Sequence, residues 1–167
     1  MEVTLEDLLR SRDQRAARQK ELQKRYPGAS LVSLTVVMPG QVKRNSGSLL
    51  VAGAALSALI ARFGSDMLYA ETRDLPTGYE AFLLTPLPET DAKRAVCDIE
   101  ETHPLGRLFD LDVIGKDGAP VSRESVGRQP RKCLLCDHEA RWCMRNRTHA
   151  PSEIQERIAQ MIAAYAL

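Results

Sequence analysis

Two aspartates separated by a single residue, Asp110 and Asp112, lie in the run Leu108 to Lys116, whose pattern reads as a β-strand. With a side-chain period of two they project to the same strand face. Two carboxylates held there form a hard oxygen site, of the kind that takes Mg²⁺ while the ion shares its coordination with substrate phosphates. The preceding stretch, His103-Pro104-Leu105-Gly106-Arg107, reads as a loop, because Pro offers no ladder donor and Gly permits unusual backbone angles. Arg107 at the end of this Gly106-containing loop is a candidate for holding a phosphate bidentately. His103 titrates close to neutrality and is a candidate general base. Plainer readings stand beside these. Asp-x-Asp also describes a solvated sheet face, with Asp112 paired across a hairpin to Arg123, and His103 also suits a loop residue bonded to backbone.

Cations gather further along. Residues 123–147 carry Arg123, Arg128, Arg131, Lys132, Arg141, Arg145 and Arg147 against Glu124, Asp137 and Glu139, an excess of four positive charges. That is either a phosphate-binding surface or a solvated basic face. Arg131, Lys43 and Arg12 join Arg107 and Arg123 as candidate substrate-binding cations. Arg12, Arg15 and Arg18 recur three apart and share roughly one helix face, a surface suited to an acidic protein partner. Cys133, Cys136, Cys143 and His149 give C-x₂-C-x₆-C-x₅-H. Thiolates and an imidazole at such spacing can close a tetrahedral zinc site; packed thiols or a reactive thiol are the alternatives.

The elements that position these residues follow from local signals. Thr4-x-x-Asp7 and Ser11-x-x-Gln14 each read as a helix start, which predicts a short turn to Arg10 and a second helix ending at Tyr26-Pro27-Gly28, an N-terminal helical segment over 4–26. Leu31 to Met38 is β-branched and stops at Pro39-Gly40, a strand and turn. Gly47 to Phe63 is Ala- and Leu-rich with helical period and stops at Gly64, a buried helix. Leu68–Thr72 and Tyr79–Leu84 read as strands around Pro76-Thr77-Gly78, and Lys93–Thr102 as another. Asp117-Gly118 predicts a two-residue hairpin turn, which sets Gly115 opposite Pro120 and Asp112 opposite Arg123. Pro120 then requires a sheet edge. A Cys-rich and helical segment spans 131–166, with a terminal helix from Ser152 to Tyr165. Together these predict an α+β fold in a single domain over 1–167, with a mixed or antiparallel sheet flanked by helices.

Composition excludes several classes. The chain is 44% apolar, 27% charged and 5% aromatic, which is ordinary globular composition. A net charge of +1 means that only local clustering can attract a polyanion. The N-terminus lacks the basic and apolar regions of a secretory signal, and the longest apolar run, Leu49 to Ala61, is short for a membrane span. The expectation is a cytoplasmic protein that engages no membrane. A zinc-stabilised module binding nucleic acid or an acidic protein is the competing class. Against nucleic acid stand the Asp pair, which repels phosphate without a metal, and the scarcity of aromatic stacking platforms.

His103-Pro-Leu-Gly-Arg-Leu-Phe-Asp-Leu-Asp-Val, Ser122-Arg123, and Pro130-Arg-Lys-Cys-Leu-Leu-Cys136 with Cys143, Arg145 and His149 together resemble the apo-citrate lyase phosphoribosyl-dephospho-CoA transferase family. Leu8-Leu9-Arg-Ser-Arg12-Asp13-x-Arg15-x-x-x-Gln19 and Ser33-Leu-Thr-Val-Val-x-Pro39-Gly40 extend the likeness over nearly the whole chain. The resemblance implies a nucleotidyl-type transfer. The donor is 2′-(5″-triphosphoribosyl)-3′-dephospho-CoA, the acceptor a serine of the citrate lyase acyl-carrier (γ) subunit, and diphosphate leaves. In that reading Asp110 and Asp112 hold Mg²⁺, Arg107 and Arg123 hold phosphates, and His103 or a carboxylate takes the serine proton. The Gly-Ser that general nucleotidyltransferases place about ten residues before their Asp-x-Asp is missing, so that superfamily's fold is not implied.

Overall fold

Thr4 opens the first helix with a full capping box: its hydroxyl accepts the Asp7 N–H (3.1 Å) and the Asp7 carboxylate accepts the Thr4 N–H (2.9 Å). In the computed structural model, which describes residues 1–167, this helix runs unbroken as α1, Leu5–Arg25. The second helix start expected at Ser11 is not used. Ser11 is buried and its hydroxyl accepts from Thr77 (3.1 Å), so it serves tertiary packing, and no Pro or Gly stops the helix at Arg10.

Four strands follow: β1 (Ser30–Val36), β2 (Tyr69–Leu75), β3 (Gly78–Thr85) and β4 (Phe109–Ile114). They form one antiparallel sheet in the order β2-β3-β1-β4. Helices α2 (Ser46–Phe63), α3 (Glu89–Thr102), α4 (Ala140–Asn146) and α5 (Pro151–Ala166) complete the α+β fold. The strand expected over Lys93–Thr102 is helical. Ala92, Ala95, Val96 and Ile99 are buried at a 3–4 residue spacing, which is helical period, and Pro88 precedes the first turn.

Alternation divides the sheet into two faces. Val32, Leu34, Leu83, Phe109, Leu111 and Val113 pack against α2 and α3 in the larger core. On the opposite face Leu31, Phe82, Leu84 and Ile114 meet Leu22 of α1. By length and composition alone the stretch Ser46–Asp66 could cross a bilayer, yet α2 buries Val51, Ala55, Leu59 and Phe63 against the sheet as a core helix.

The hairpin expected after β4 is present but shifted by one residue and short. Ile114, not Gly115, bridges to Pro120, and Gly115 N–H closes on the Ala119 carbonyl (2.8 Å) around a wider turn. After Val121 N–H bonds the Val113 carbonyl (2.8 Å), the chain leaves the sheet. Asp112 therefore does not face Arg123 across a ladder; it pairs with Ser33 of β1, and Asp110 with Thr35.

Candidate active site

β4 is an edge strand whose outward backbone groups are satisfied from elsewhere. Leu111 N–H donates to Glu100 of α3 (3.1 Å), and the Phe109 carbonyl accepts from Arg131 (2.7 Å). These two bonds explain why the hairpin stops after Val121: a carboxylate and a guanidinium occupy the edge that a longer returning strand would need. Glu100 is only 8% exposed and is the hub of the region, accepting from Arg123 (2.7 Å) and Arg131 (3.3 Å) as well. Arg123 also reaches Glu101 (3.1 Å), and Arg131 bonds the Gly106 carbonyl (2.9 Å). Gly106 is required by space. A Cβ there would stand 2.3 Å from the Glu100 carbonyl oxygen, so a larger residue would push the loop off α3.

Against this edge lies a cavity of about 600 Å³ lined by Asp110, Asp112, Lys93, Arg123, Arg131 and Arg141, among others. The Thr35 hydroxyl donates to Asp110 (3.4 Å). Burial, reinforced by the Asp110 charge, pushes Asp112 up to about 6, while Lys93 and Arg15 pull the other way. Two carboxylates on one strand face, with the inner one held above its ordinary range, form a site that a divalent cation would relieve.

A neighbouring cavity of about 410 Å³ shares Glu100, Arg123 and Arg131 and adds His103, Arg107 and Lys132. Arg107 donates to the Lys132 carbonyl (2.7 Å), and burial together with Arg131 disfavours its charge. The His103 Nδ1 accepts the Leu105 N–H (2.9 Å), its ring lies near Phe109 and Tyr165, and burial lowers its pKa. The loop role weighed for His103 is thus present.

Two expected cations fall elsewhere. Arg12 and Lys43 line a small cavity of about 280 Å³ at the start of α1 and do not line the cavity holding the Asp pair. Nor is the α1 arginine face free. Arg15 is bound to buried Glu80 (2.8 Å) and Arg18 to Glu71 (2.6 Å), because this face of α1 packs on the charged end of the sheet. A further cavity of about 650 Å³ lies between Met38–Gly47 and α5; Glu2 is its one ionisable residue, and the start of α2 (Asn45, Ser46, Gly47) forms part of its wall. The sequence pattern suggests a strand over Lys93–Thr102, which hides Lys93 and Glu100 as site residues; the structure makes this stretch α3. The helical spacing of Ala92, Val96 and Ile99 was the available signal, since it sets Lys93 and Glu100 seven apart on one helix face.

The cysteine segment folds back on itself. Lys132 bridges to Glu139, Cys133 N–H bonds the His138 carbonyl (2.7 Å), and Ala140 N–H bonds the Arg131 carbonyl (2.8 Å). This brings the ligand atoms of Cys133, Cys136, Cys143 and His149 within 4.8 Å of one another, a set able to hold a metal ion. Burial acts upward on Cys133, but the Leu135 and Cys136 N–H groups and the neighbouring thiols bring it down to about 7. The same fold-back carries Arg131 and Arg141 to the cavity wall.

The sequence model of the apo-citrate lyase phosphoribosyl-dephospho-CoA transferase family matches residues 3–165. A protein of Streptococcus pyogenes serotype M18, named "Probable apo-citrate lyase phosphoribosyl-dephospho-CoA transferase", is 37% identical over 167 residues, covering 98% of this chain and 87% of its own. Proteins of Shigella boydii serotype 18 and Escherichia coli O157:H7, named apo-citrate lyase phosphoribosyl-dephospho-CoA transferase, are each 37% identical over 163 residues, covering 96% of this chain and 88% of their own. With the family model matched almost end to end, this chain belongs to the apo-citrate lyase phosphoribosyl-dephospho-CoA transferase family.

Proposed function

We propose that this protein attaches the 2′-(5″-phosphoribosyl)-3′-dephospho-CoA group to a serine of the citrate lyase acyl-carrier (γ) subunit, taking it from the triphosphoribosyl donor and releasing diphosphate. The observation that carries the chemistry is one cavity in which Asp110 and Asp112 meet Lys93, Arg123, Arg131 and Arg141. The serine oxygen bonds to the phosphorus attached to ribose, the bond from that phosphorus to diphosphate breaks with its electron pair on diphosphate, and the hydroxyl proton leaves to a base. One of the two cavity carboxylates, Asp110 or Asp112, suits that role. His103 suits it less, with Nδ1 committed to Leu105.

Asp110 and Asp112 would hold Mg²⁺, and their shared face and mutual repulsion fit a divalent cation. Bound there, the ion would shield the phosphate charge that builds on the leaving group. The donor carries two oligophosphate groups, the triphosphate on ribose and the diphosphate within dephospho-CoA. The adjoining cavities offer cations to each: Arg123, Arg131 and Arg141 in one, Arg107 and Lys132 in the other.

Cys133, Cys136, Cys143 and His149 would hold zinc, since three soft sulfurs and an imidazole are zinc ligands rather than Mg²⁺ ligands. Its role is structural, as the nucleophile belongs to the carrier. The compartment is the cytoplasm, and neither nucleic acid nor membrane takes part. Incubating the protein with apo-carrier, donor and Mg²⁺ and weighing the carrier by mass spectrometry tests the proposal. A gain equal to the phosphoribosyl-dephospho-CoA group is expected, and an unchanged carrier mass refutes it.

A further inference from the structure

Lys93 is 5% exposed on α3, yet it has no hydrogen-bond acceptor and no carboxylate within ion-pair distance. Its neighbours in the cavity are otherwise spoken for. Arg123 and Arg131 are both drawn onto Glu100, whereas Lys93 and Arg141 are left without an anionic partner. Apart from a Glu80 oxygen, no fully sealed side-chain nitrogen or oxygen lacks a hydrogen-bond partner, so the Lys93 ammonium opens on the cavity it lines. Its charge is felt at Asp112 without a direct contact.

An ammonium that opens on a cavity and has no acceptor in the protein is free to take its oxygens from a ligand bound there. The ligand must be anionic, must fit a cavity of about 600 Å³, and must tolerate the Asp pair. A free carboxylate meets only the first two conditions, because nothing offsets its repulsion by Asp110 and Asp112. A diphosphate chelating a divalent cation meets all three, since the cation faces the aspartates and the remaining oxygens face Lys93. We infer that Lys93 binds the diphosphate that leaves the donor, contacting it in the bound donor and holding its developing charge as the bond breaks. This rests on the transferase reading for the source of the diphosphate, but the binding site itself does not.

The test uses inorganic diphosphate with Mg²⁺ and the intact protein, without donor or carrier, in isothermal titration calorimetry. Lys93→Met should weaken diphosphate binding about 10–100-fold, the usual worth of a hydrogen-bonded charge contact. Lys93→Gln should do the same, and binding of inorganic monophosphate should change less. Because the ammonium has no partner inside the protein, both variants should melt at or above the wild-type temperature. Equal diphosphate affinity in wild type and Lys93→Met overturns the inference. So does a marked fall in melting temperature for both variants, which would show that the protein itself engages the charge. Wild-type protein that binds diphosphate through Lys93 yet leaves apo-carrier unmodified would refute the transferase reading and leave this site standing.

Discussion

Replacing Asp112 with asparagine should stabilise the protein at neutral pH while removing its transfer activity. Asp112 faces Asp110 on its own strand, Lys93 and Glu100 on α3, and Arg15 on α1, and burial with the Asp110 charge lifts it from 3.8 to about 6. At about 1.36 kcal/mol per unit, a carboxylate kept charged there costs roughly 3 kcal/mol at pH 7. Contact with water in the cavity screens part of this, leaving about 1–2 kcal/mol. Asparagine has nearly the same shape and carries no charge to desolvate. For a chain of this size the gain amounts to about 2–8 °C in melting temperature. The sign has a pH signature. The folded carboxyl binds its proton more tightly than the unfolded one, so wild-type stability falls as pH rises from about 4 to about 6 and then levels off. The variant lacks that slope, so the gap between the two proteins should open over this window and close below pH 4. Urea denaturation in chelator at pH 4, 5, 6 and 7 measures it. An Asp112→Asn protein less stable than wild type at pH 7, or a gap equal at pH 4 and pH 7, refutes the reasoning.

Glu100→Gln should destabilise the fold by about 3–5 kcal/mol, because it leaves Arg123 and Arg131 without their buried counter-charge at the β4 edge; a loss under about 1 kcal/mol in urea denaturation would contradict this. Cys136→Ser should lower the melting temperature and, in protein purified with zinc at this cluster, release it as measured by mass spectrometry of the metal, since its Sγ lies 3.4 Å from both Cys143 Sγ and His149 Nε2. Loss of transfer with melting temperature and metal content unchanged would instead put a thiol in the mechanism.

Much of this was legible locally. Pro39-Gly40, Pro76-Thr77-Gly78 and Gly64 are punctuation that the backbone obeys, and β1, β2, β3 and α2 fall where those residues set them. The cysteine cluster was legible for the same reason, since its ligands lie within seventeen residues of sequence, from Cys133 to His149. What was missed is non-local. Asp112 was assigned Arg123 as a ladder partner because Asp117-Gly118 favours a tight hairpin, but Glu100 and Arg131 take the edge hydrogen bonds that such a strand needs. Lys93 and Glu100 disappeared with the misread α3. Arg12, Lys43 and the α1 arginines were grouped by charge, and charge in sequence does not say which face of a sheet a helix will cover.

The central claim is that the cavity at Asp110 and Asp112 transfers the phosphoribosyl-dephospho-CoA group to the carrier. Its most direct test is a single-turnover assay with donor, apo-carrier and saturating Mg²⁺, following carrier mass and diphosphate release together for wild type and Asp110→Asn. The two signals should rise in equal amounts and at one rate in wild type, and both should slow about 10²–10³-fold in the folded variant. Near-normal transfer by Asp110→Asn would contradict the assignment.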